Sequence, residues 1–136
     1  MIYVDTSVIL AQLFAEDRFP PADLWRETLV SSRLAVYEVW TRVHARGLAG
    51  SHGEQVRVVL GRLAFIELTP TVLSRALEPF PMTVRTLDAL HLASIEFLRE
   101  HGQAVELATY DRRLSDAARR MKIPLYPLPV PPSRST

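Results

Sequence analysis

Short apolar runs, too brief to be helices, alternate along this chain with stretches of helical periodicity, and that alternation constrains the fold more than any other feature. Ile2 to Val4 is β-branched or aromatic and runs directly into Asp5-Thr6-Ser7, a buried strand ending in polar cap residues. Val8 to Phe14 reads as a helix, closed by the turn-rich Asp17-Arg18-Phe19-Pro20-Pro21. A helix can restart at Ala22 and carry Leu24, Trp25 and Leu29 on one face, although Leu29-Val30-Ser31-Ser32 also reads as a very short strand. From Leu34 to Gly47 the residues Val36, Val39, Trp40 and Val43 recur at helical spacing. Gly47 and Gly50 end that helix, and Ser51 can cap the next, which runs to about Leu63. Phe65 to Leu68 is a strand stopped by Thr69-Pro70, and a short helix with Val72, Leu73, Ala76 and Leu77 is broken by Pro79 and Pro81. The clearest helix starts near Thr86 or Leu87, with Leu87, Leu90, Ala93, Ile95 and Leu98 in spacing and Gly102 beyond its end. Ala104 to Thr109 is a strand leading into Tyr110-Asp111. Ala117, Ala118 and Met121 mark a last helix, and Ile123 to Tyr126 a final strand. No internal repeat is visible, and the order of elements predicts an α/β domain with a mainly parallel sheet.

The 136 residues suit one domain, placed at 1–127, followed by a proline-rich tail at 128–136. A chain with 48% hydrophobic and 23% charged residues has the balance of a globular protein and not of a disordered one. Without cysteine, any metal must rest on oxygen or imidazole ligands. Met1 to Asp5 lacks a basic start, and an acid falls where the apolar stretch of a secretion signal would run. No run approaches 18 apolar residues, so the expected location is cytoplasmic. The net charge of +1 does not demand a polyanionic partner. The basic residues are nearly all arginine, and Arg112, Arg113, Arg119, Arg120 and Lys122 cluster late; they read equally as phosphate contacts or as a solvated helix face.

Three acids sit in one kind of place. Asp5 and Asp111 each follow a strand directly, and Asp88 opens an apolar helix. In an open parallel sheet, ligands gather beyond the C-terminal strand ends, at the point where strand order reverses. If the first and fourth strands are neighbours there, Asp5 and Asp111 lie side by side. Glu38 falls among Val36, Val39 and Trp40, close to the apolar face of its helix. Each acid alone has an ordinary explanation: Asp5 as a helix cap, Asp88 and Asp111 as partners of a helix dipole, Glu38 as a partner of Arg42 one turn on. Together they are harder to dismiss. Carboxylates within about 4 Å repel by roughly 4 kcal/mol per pair at an effective dielectric near 20, in a domain with only ~5–15 kcal/mol of net stability. A hard divalent cation, Mg²⁺ or Mn²⁺, resolves that conflict, and can activate water for phosphodiester attack.

Four segments carry a family resemblance. Tyr3-Val4-Asp5-Thr6-Ser7 resembles the first acidic motif of the PIN domain of VapC-type toxins, and Ser32 to Glu38 is similar to the segment bearing that family's helical glutamate. Arg85-Thr86-Leu87-Asp88-Ala89-Leu90-His91-Leu92-Ala93 is the most specific match, and Ala108-Thr109-Tyr110-Asp111-Arg112-Arg113-Leu114 matches the last motif. The motifs occur in the family's order and span nearly the whole chain. The resemblance implies a three-layer α/β/α fold around a parallel sheet of four to five strands in the order 3-2-1-4-5. It implies Asp5, Glu38, Asp88 and Asp111 as catalytic metal ligands for Mg²⁺ or Mn²⁺, and metal-dependent cleavage of a structured RNA such as tRNA or rRNA. It also implies a homodimer, inhibited by a cognate VapB-type antitoxin whose C-terminal segment covers the acidic groove.

Thr6 and Thr109 are placed to orient water or a ligand carboxylate, Arg112 and Arg113 to contact RNA phosphates, and Ser7 to cap the first helix. Asp116 reads as a solvent-facing helix residue, and His91, among leucines, as a packing or locally hydrogen-bonded group. The family often has a glycine where this chain has Lys122. One competing reading is a catalytically silent RNA- or protein-binding PIN domain, whose carboxylates merely cap helices. Another is a receiver-type phospho-acceptor, but that needs an acidic pair at the first strand and a lysine after the last, whereas Asp5 stands alone and no lysine follows Lys122.

Overall fold

A computed structural model describes residues 1–14 and 19–129. Strand β1 (Ile2–Val4) leads into helix α1 (Thr6–Phe14), and a 3₁₀ turn over Ala22–Arg26 precedes β2 (Leu29–Ser32). Then come α2 (Arg33–Ala45), α3 (Ala49–Leu60), β3 (Ala64–Ile66), α4 (Pro70–Ala76), α5 (Thr86–Glu100), β4 (Glu106–Ala108) and α6 (Arg112–Arg120). The strands form one parallel sheet in the order β3-β2-β1-β4. Strand order therefore reverses beside β1, and the β1–β4 pairing sets Val4 against Ala108. Asp5 and Thr109 leave the sheet together.

The period-two alternation of a strand divides the core. Ile2 and Val4 of β1 point to the side packed by Val8, Ile9, Val39, Val43 and Val56 of α1 to α3. Tyr3, between them, points to the opposite side, with Leu92 and Ile95 of α5 and Leu114, Ala117 and Ala118 of α6. Two apolar clusters on opposite faces of a parallel sheet make the three-layer α/β/α arrangement. Each fully buried Leu, Ile or Val removes apolar area worth about 1.5–3 kcal/mol.

Several boundaries differ from expectation, each for a local reason. The helix at Ala22 ends at Arg26 because Glu27 is extended, so Leu29 belongs to β2, pairing with Ile2, and not to a helix face. Gly47, at φ +66°, turns the chain so tightly that α3 begins at Ala49; Ser51 lies inside its first turn and is not its cap. The fifth strand shrinks to a single bridge between Leu107 and Leu125. The Leu107 N–H donates to Pro124 O and the Tyr126 N–H to Leu107 O, each at 2.8 Å, but Pro124 and Pro127 have no N–H to extend a ladder. Part of the turn proposed at 17–21 and most of the tail at 128–136 lie outside the described residues.

Lys122 stands where the family often has a glycine, and it adopts φ +58°. The Ile123 N–H reaches Ala118 O at 2.9 Å and the Lys122 N–H reaches Arg119 O at 3.1 Å. That is the Schellman pattern, which favours glycine at this residue.

Candidate active site

Asp5 ends β1 and caps α1, its Oδ1 accepting from the Val8 N–H at 3.3 Å. The Ser7 hydroxyl donates to the same oxygen at 2.6 Å, and the Thr109 hydroxyl donates to Oδ2 at 2.5 Å. Ser7 does not cap α1 as expected. Its oxygen accepts the Tyr110 N–H at 2.9 Å, so it stitches the loop after β1 to the loop after β4. Thr109 in turn accepts the Asp111 N–H at 2.9 Å. Asp111 caps α6 through Oδ1, which takes the N–H groups of Arg113 and Leu114. Thr109 therefore lies between the Asp5 carboxylate and the main chain of Asp111.

Glu38 projects from α2 and does not meet Arg42 in an ion pair. Its Oε1 accepts from Thr6 Oγ1 at 2.8 Å and lies 2.8 Å from His91 Nε2. His91 is 3% exposed, and its Nδ1 lies 2.7 Å from the Tyr3 hydroxyl. Asp88 sits in the first turn of α5, one turn before His91.

These elements place Asp5, Glu38, Asp88 and Asp111 around one cavity of about 410 Å³, which Thr6, Ser7 and His91 also line. The electrostatics agree with that convergence. Burial pushes the Asp5 carboxyl up, and bonds from Ser7 and Thr109, with His91 and the Val8 N–H, pull it only part of the way back. Asp88 is also raised, first by desolvation and next by the negative charge of Asp111; His91 and Arg85 oppose this, and Glu38 adds to it. Two of the four acids, Asp5 and Asp88, are therefore costly to ionise where they stand.

Among the described residues, no three acidic or imidazole groups stand in a ready-made coordination cage. The donor set nonetheless suits a hard cation. All four acids offer oxygen, and the protein holds Glu38 and Asp111 by one oxygen each. Among the described residues no hydrogen bond is made to Glu38 Oε2, Asp111 Oδ2 or either oxygen of Asp88. Carboxylates that are costly to ionise, as Asp5 and Asp88 are, and neighbours that keep open oxygens gain most from a divalent ion.

The outlying candidates are placed differently. Arg112 lines a neighbouring cavity with Asp116 and Arg119, and Arg113 contributes its main-chain N–H to Asp111. Asp116 pairs with Arg119 at 2.9 Å on the surface, as expected for a solvent-facing residue. Sequence reasoning missed the stitching role of Ser7 and the Tyr3–His91 contact. A phenol in a fully buried strand was the available signal for the latter, since a buried tyrosine hydroxyl needs a partner.

The sequence profile of the PIN domain family matches residues 2–120. Ribonuclease VapC46 of Mycobacterium tuberculosis is 34% identical over 126 residues, covering 88% of this chain and 92% of the relative. Ribonuclease VapC47 of the same species is 31% identical over 128 residues, covering 89% and 92%. Among solved structures, a toxin–antitoxin complex from Klebsiella pneumoniae contains a chain that superposes with a TM-score of 0.59 over 82% of this chain and 87% of its own, at 18% identity. That last likeness concerns the fold alone. With the three-layer architecture and the acidic cavity at the reversal of strand order, these matches establish that the chain belongs to the PIN domain family.

Proposed function

We propose that this protein is the toxin of a type II toxin–antitoxin pair, a cytoplasmic endoribonuclease that depends on Mg²⁺ or Mn²⁺ and cleaves a structured RNA of the tRNA or rRNA class. The observation that carries this reading is the convergence of Asp5, Glu38, Asp88 and Asp111 on one cavity beyond the ends of β1 and β4. The VapC ribonucleases it resembles support the reading at the level of activity.

Asp5, Asp88 and Asp111 would hold the cation, with Glu38 joining directly or through water. A bound Mg²⁺ or Mn²⁺ supplies Lewis-acid stabilisation of charge at phosphorus and lowers the pKa of water. The protein's own residues do the positioning. Ser7, Thr109 and the Val8 N–H fix the Asp5 carboxylate and counter part of the cost of burying its charge, and Thr6 and His91 hold Glu38. Helix α6 presents Asp111 at its N-terminus, where the helix dipole favours the negative charge. In-line attack by water leaves a 5′-phosphate and a 3′-hydroxyl. Arg112 and Arg113, on the first turn of α6 beside Asp111, serve as phosphate contacts flanking the cut. The protein acts as a homodimer, and a VapB-type antitoxin silences it by covering the acidic groove.

The test is cleavage of total bacterial RNA by purified, antitoxin-free protein, with new 5′ ends mapped in Mg²⁺ or Mn²⁺ and in EDTA, beside the Asp88→Asn protein. Discrete cuts that need both metal and Asp88 are expected. No cuts from the folded protein would favour the silent binding module instead.

A further inference from the structure

The helix that supplies Asp88 also supplies, one turn later on the same face, a buried imidazole whose two nitrogens are both engaged. Glu38 can only accept when ionised, so the 2.8 Å contact requires the proton on His91 Nε2. A tyrosine phenol keeps its proton at neutral pH, so its O–H donates to His91 Nδ1 at 2.7 Å. The two rings meet edge to face, 83° apart with centroids 5.8 Å apart, which fixes the imidazole plane. Donors thus run one way, from Tyr3 in β1 through His91 in α5 to Glu38 in α2. Thr6 of α1 delivers its hydroxyl to the same Oε1, so that oxygen takes two donors while Oε2 takes none among the described residues.

A purely structural role accounts poorly for this arrangement. Tyr3 is fully buried and His91 nearly so, with the buried Ser31 and Ser94 beside the phenol and the rest of the cluster apolar, where Phe and Leu of similar volume would pack without desolvating a phenol and an imidazole. The asymmetric loading of Glu38 bears on the site directly, because the residue lines the acidic cavity and Oε2 is the oxygen left without a donor among the described residues.

We propose that His91, backed by Tyr3, is a positioning residue that clamps Glu38 by Oε1 so that Oε2 is held open toward a divalent cation shared with Asp88. The inference rests on the metal-site reading above and assigns His91 no contact with the cation itself. Groups that orient metal-ligating side chains this way typically change metal affinity by about 10–100-fold when removed.

The experiment is calorimetric titration of MnCl₂ into EDTA-stripped, full-length, antitoxin-free protein, with folding of every variant checked by circular dichroism. His91→Gln places an amide N–H near the position of Nε2 and is expected to bind Mn²⁺ within about 3-fold of wild type. His91→Asn is too short to reach Glu38 and is expected to bind about 10-fold more weakly. Tyr3→Phe, which frees the far end of the imidazole only, should fall between them. In a Glu38→Ala background, adding His91→Asn should change nothing further, since a clamp acts only through what it holds. Equal affinities for the Gln and Asn variants would overturn the proposal, as would a further loss from His91→Asn when Glu38 is already absent. Wild-type protein that takes up no Mn²⁺ would overturn the metal-site reading itself, and the clamp with it. Normal wild-type uptake with unaffected variants would remove the clamp alone.

Discussion

Ser7→Ala is the substitution whose cost the structure sets most directly. Its hydroxyl donates to a buried carboxylate at 2.6 Å and accepts the Tyr110 N–H at 2.9 Å, across 103 residues of chain. A hydrogen bond to a charged group contributes about 1.5–3 kcal/mol, and an N–H left without its acceptor at a half-buried site costs about 1 kcal/mol more. The expected loss is therefore about 3 kcal/mol in denaturant unfolding of the metal-free protein. For a chain of this length that is a fall of roughly 10 °C in melting temperature. Part of that loss depends on charge. Burial raises Asp5 above the ordinary carboxylate range near 4, and the Ser7 bond counters it. Removing the bond pushes Asp5 higher still, so the variant loses most where wild-type Asp5 is ionised. The loss should be largest near pH 8 and shrink as pH falls through the folded pKa of Asp5. Ser115→Ala is the control, because that hydroxyl donates only to Asp111 O one turn back in the chain, and it should cost less than about 1 kcal/mol at every pH. A Ser7→Ala loss no larger than the control's, or one independent of pH, would refute the idea that this hydroxyl holds Asp5 and joins the two loops.

Other outcomes follow from single contacts. Asp88 is raised by desolvation and by Asp111, so its ionised form weakens the metal-free fold as pH rises through its folded pKa. Asp88→Asn should therefore melt about 1–2 °C higher than wild type at pH 8, a small gain because solvent screens a half-exposed group, and the advantage should vanish toward pH 4. Lys122→Gly relieves a left-handed backbone at a Schellman end and should add about 0.5–1 kcal/mol of stability in chemical denaturation. Arg75 of α4 forks onto Glu96 of α5 and stacks 4.2 Å above the Phe80 ring. Arg75→Ala should cost about 1–2 kcal/mol and quicken amide hydrogen exchange in α4 before other helices.

Much of this architecture is legible in the sequence, and the failures have physical causes. The alternation of Ile2–Val4 with the helix after Asp5 identifies a parallel α/β sheet, and the polar residues after the first and fourth strands identify where it would bind a ligand. The pairing of Val4 with Ala108 turns that into a neighbourhood of Asp5 and Asp111. Leu29 was ambiguous because three apolar residues fit either period, and the extended Glu27 decided it. The final strand looked like a strand by composition, but the prolines at 124 and 127 take away the donors needed to extend it. Glu38 falls on its helix as the periodicity indicates, and its hydrogen-bond partner is what the local spacing leaves out. Local spacing offers Arg42 four residues on, whereas the fold brings His91 from 53 residues away. Contacts of that range depend on how helices cross the sheet, which periodicity does not encode. Ser7 reads as a second candidate cap beside Asp5, but Asp5 Oδ1 takes the Val8 N–H, and Ser7 bonds instead to Tyr110, 103 residues away, which local sequence does not encode.

The most direct test of the account is anomalous diffraction from crystals of the antitoxin-free protein soaked in MnCl₂. The account predicts a manganese peak in the acidic cavity, roughly 2.0–2.3 Å from carboxylate oxygens of at least two of Asp5, Asp88 and Asp111, and its absence from Asp88→Asn crystals. A well-diffracting soaked crystal with the cavity empty, or with manganese only at surface acids such as Asp116, would contradict it.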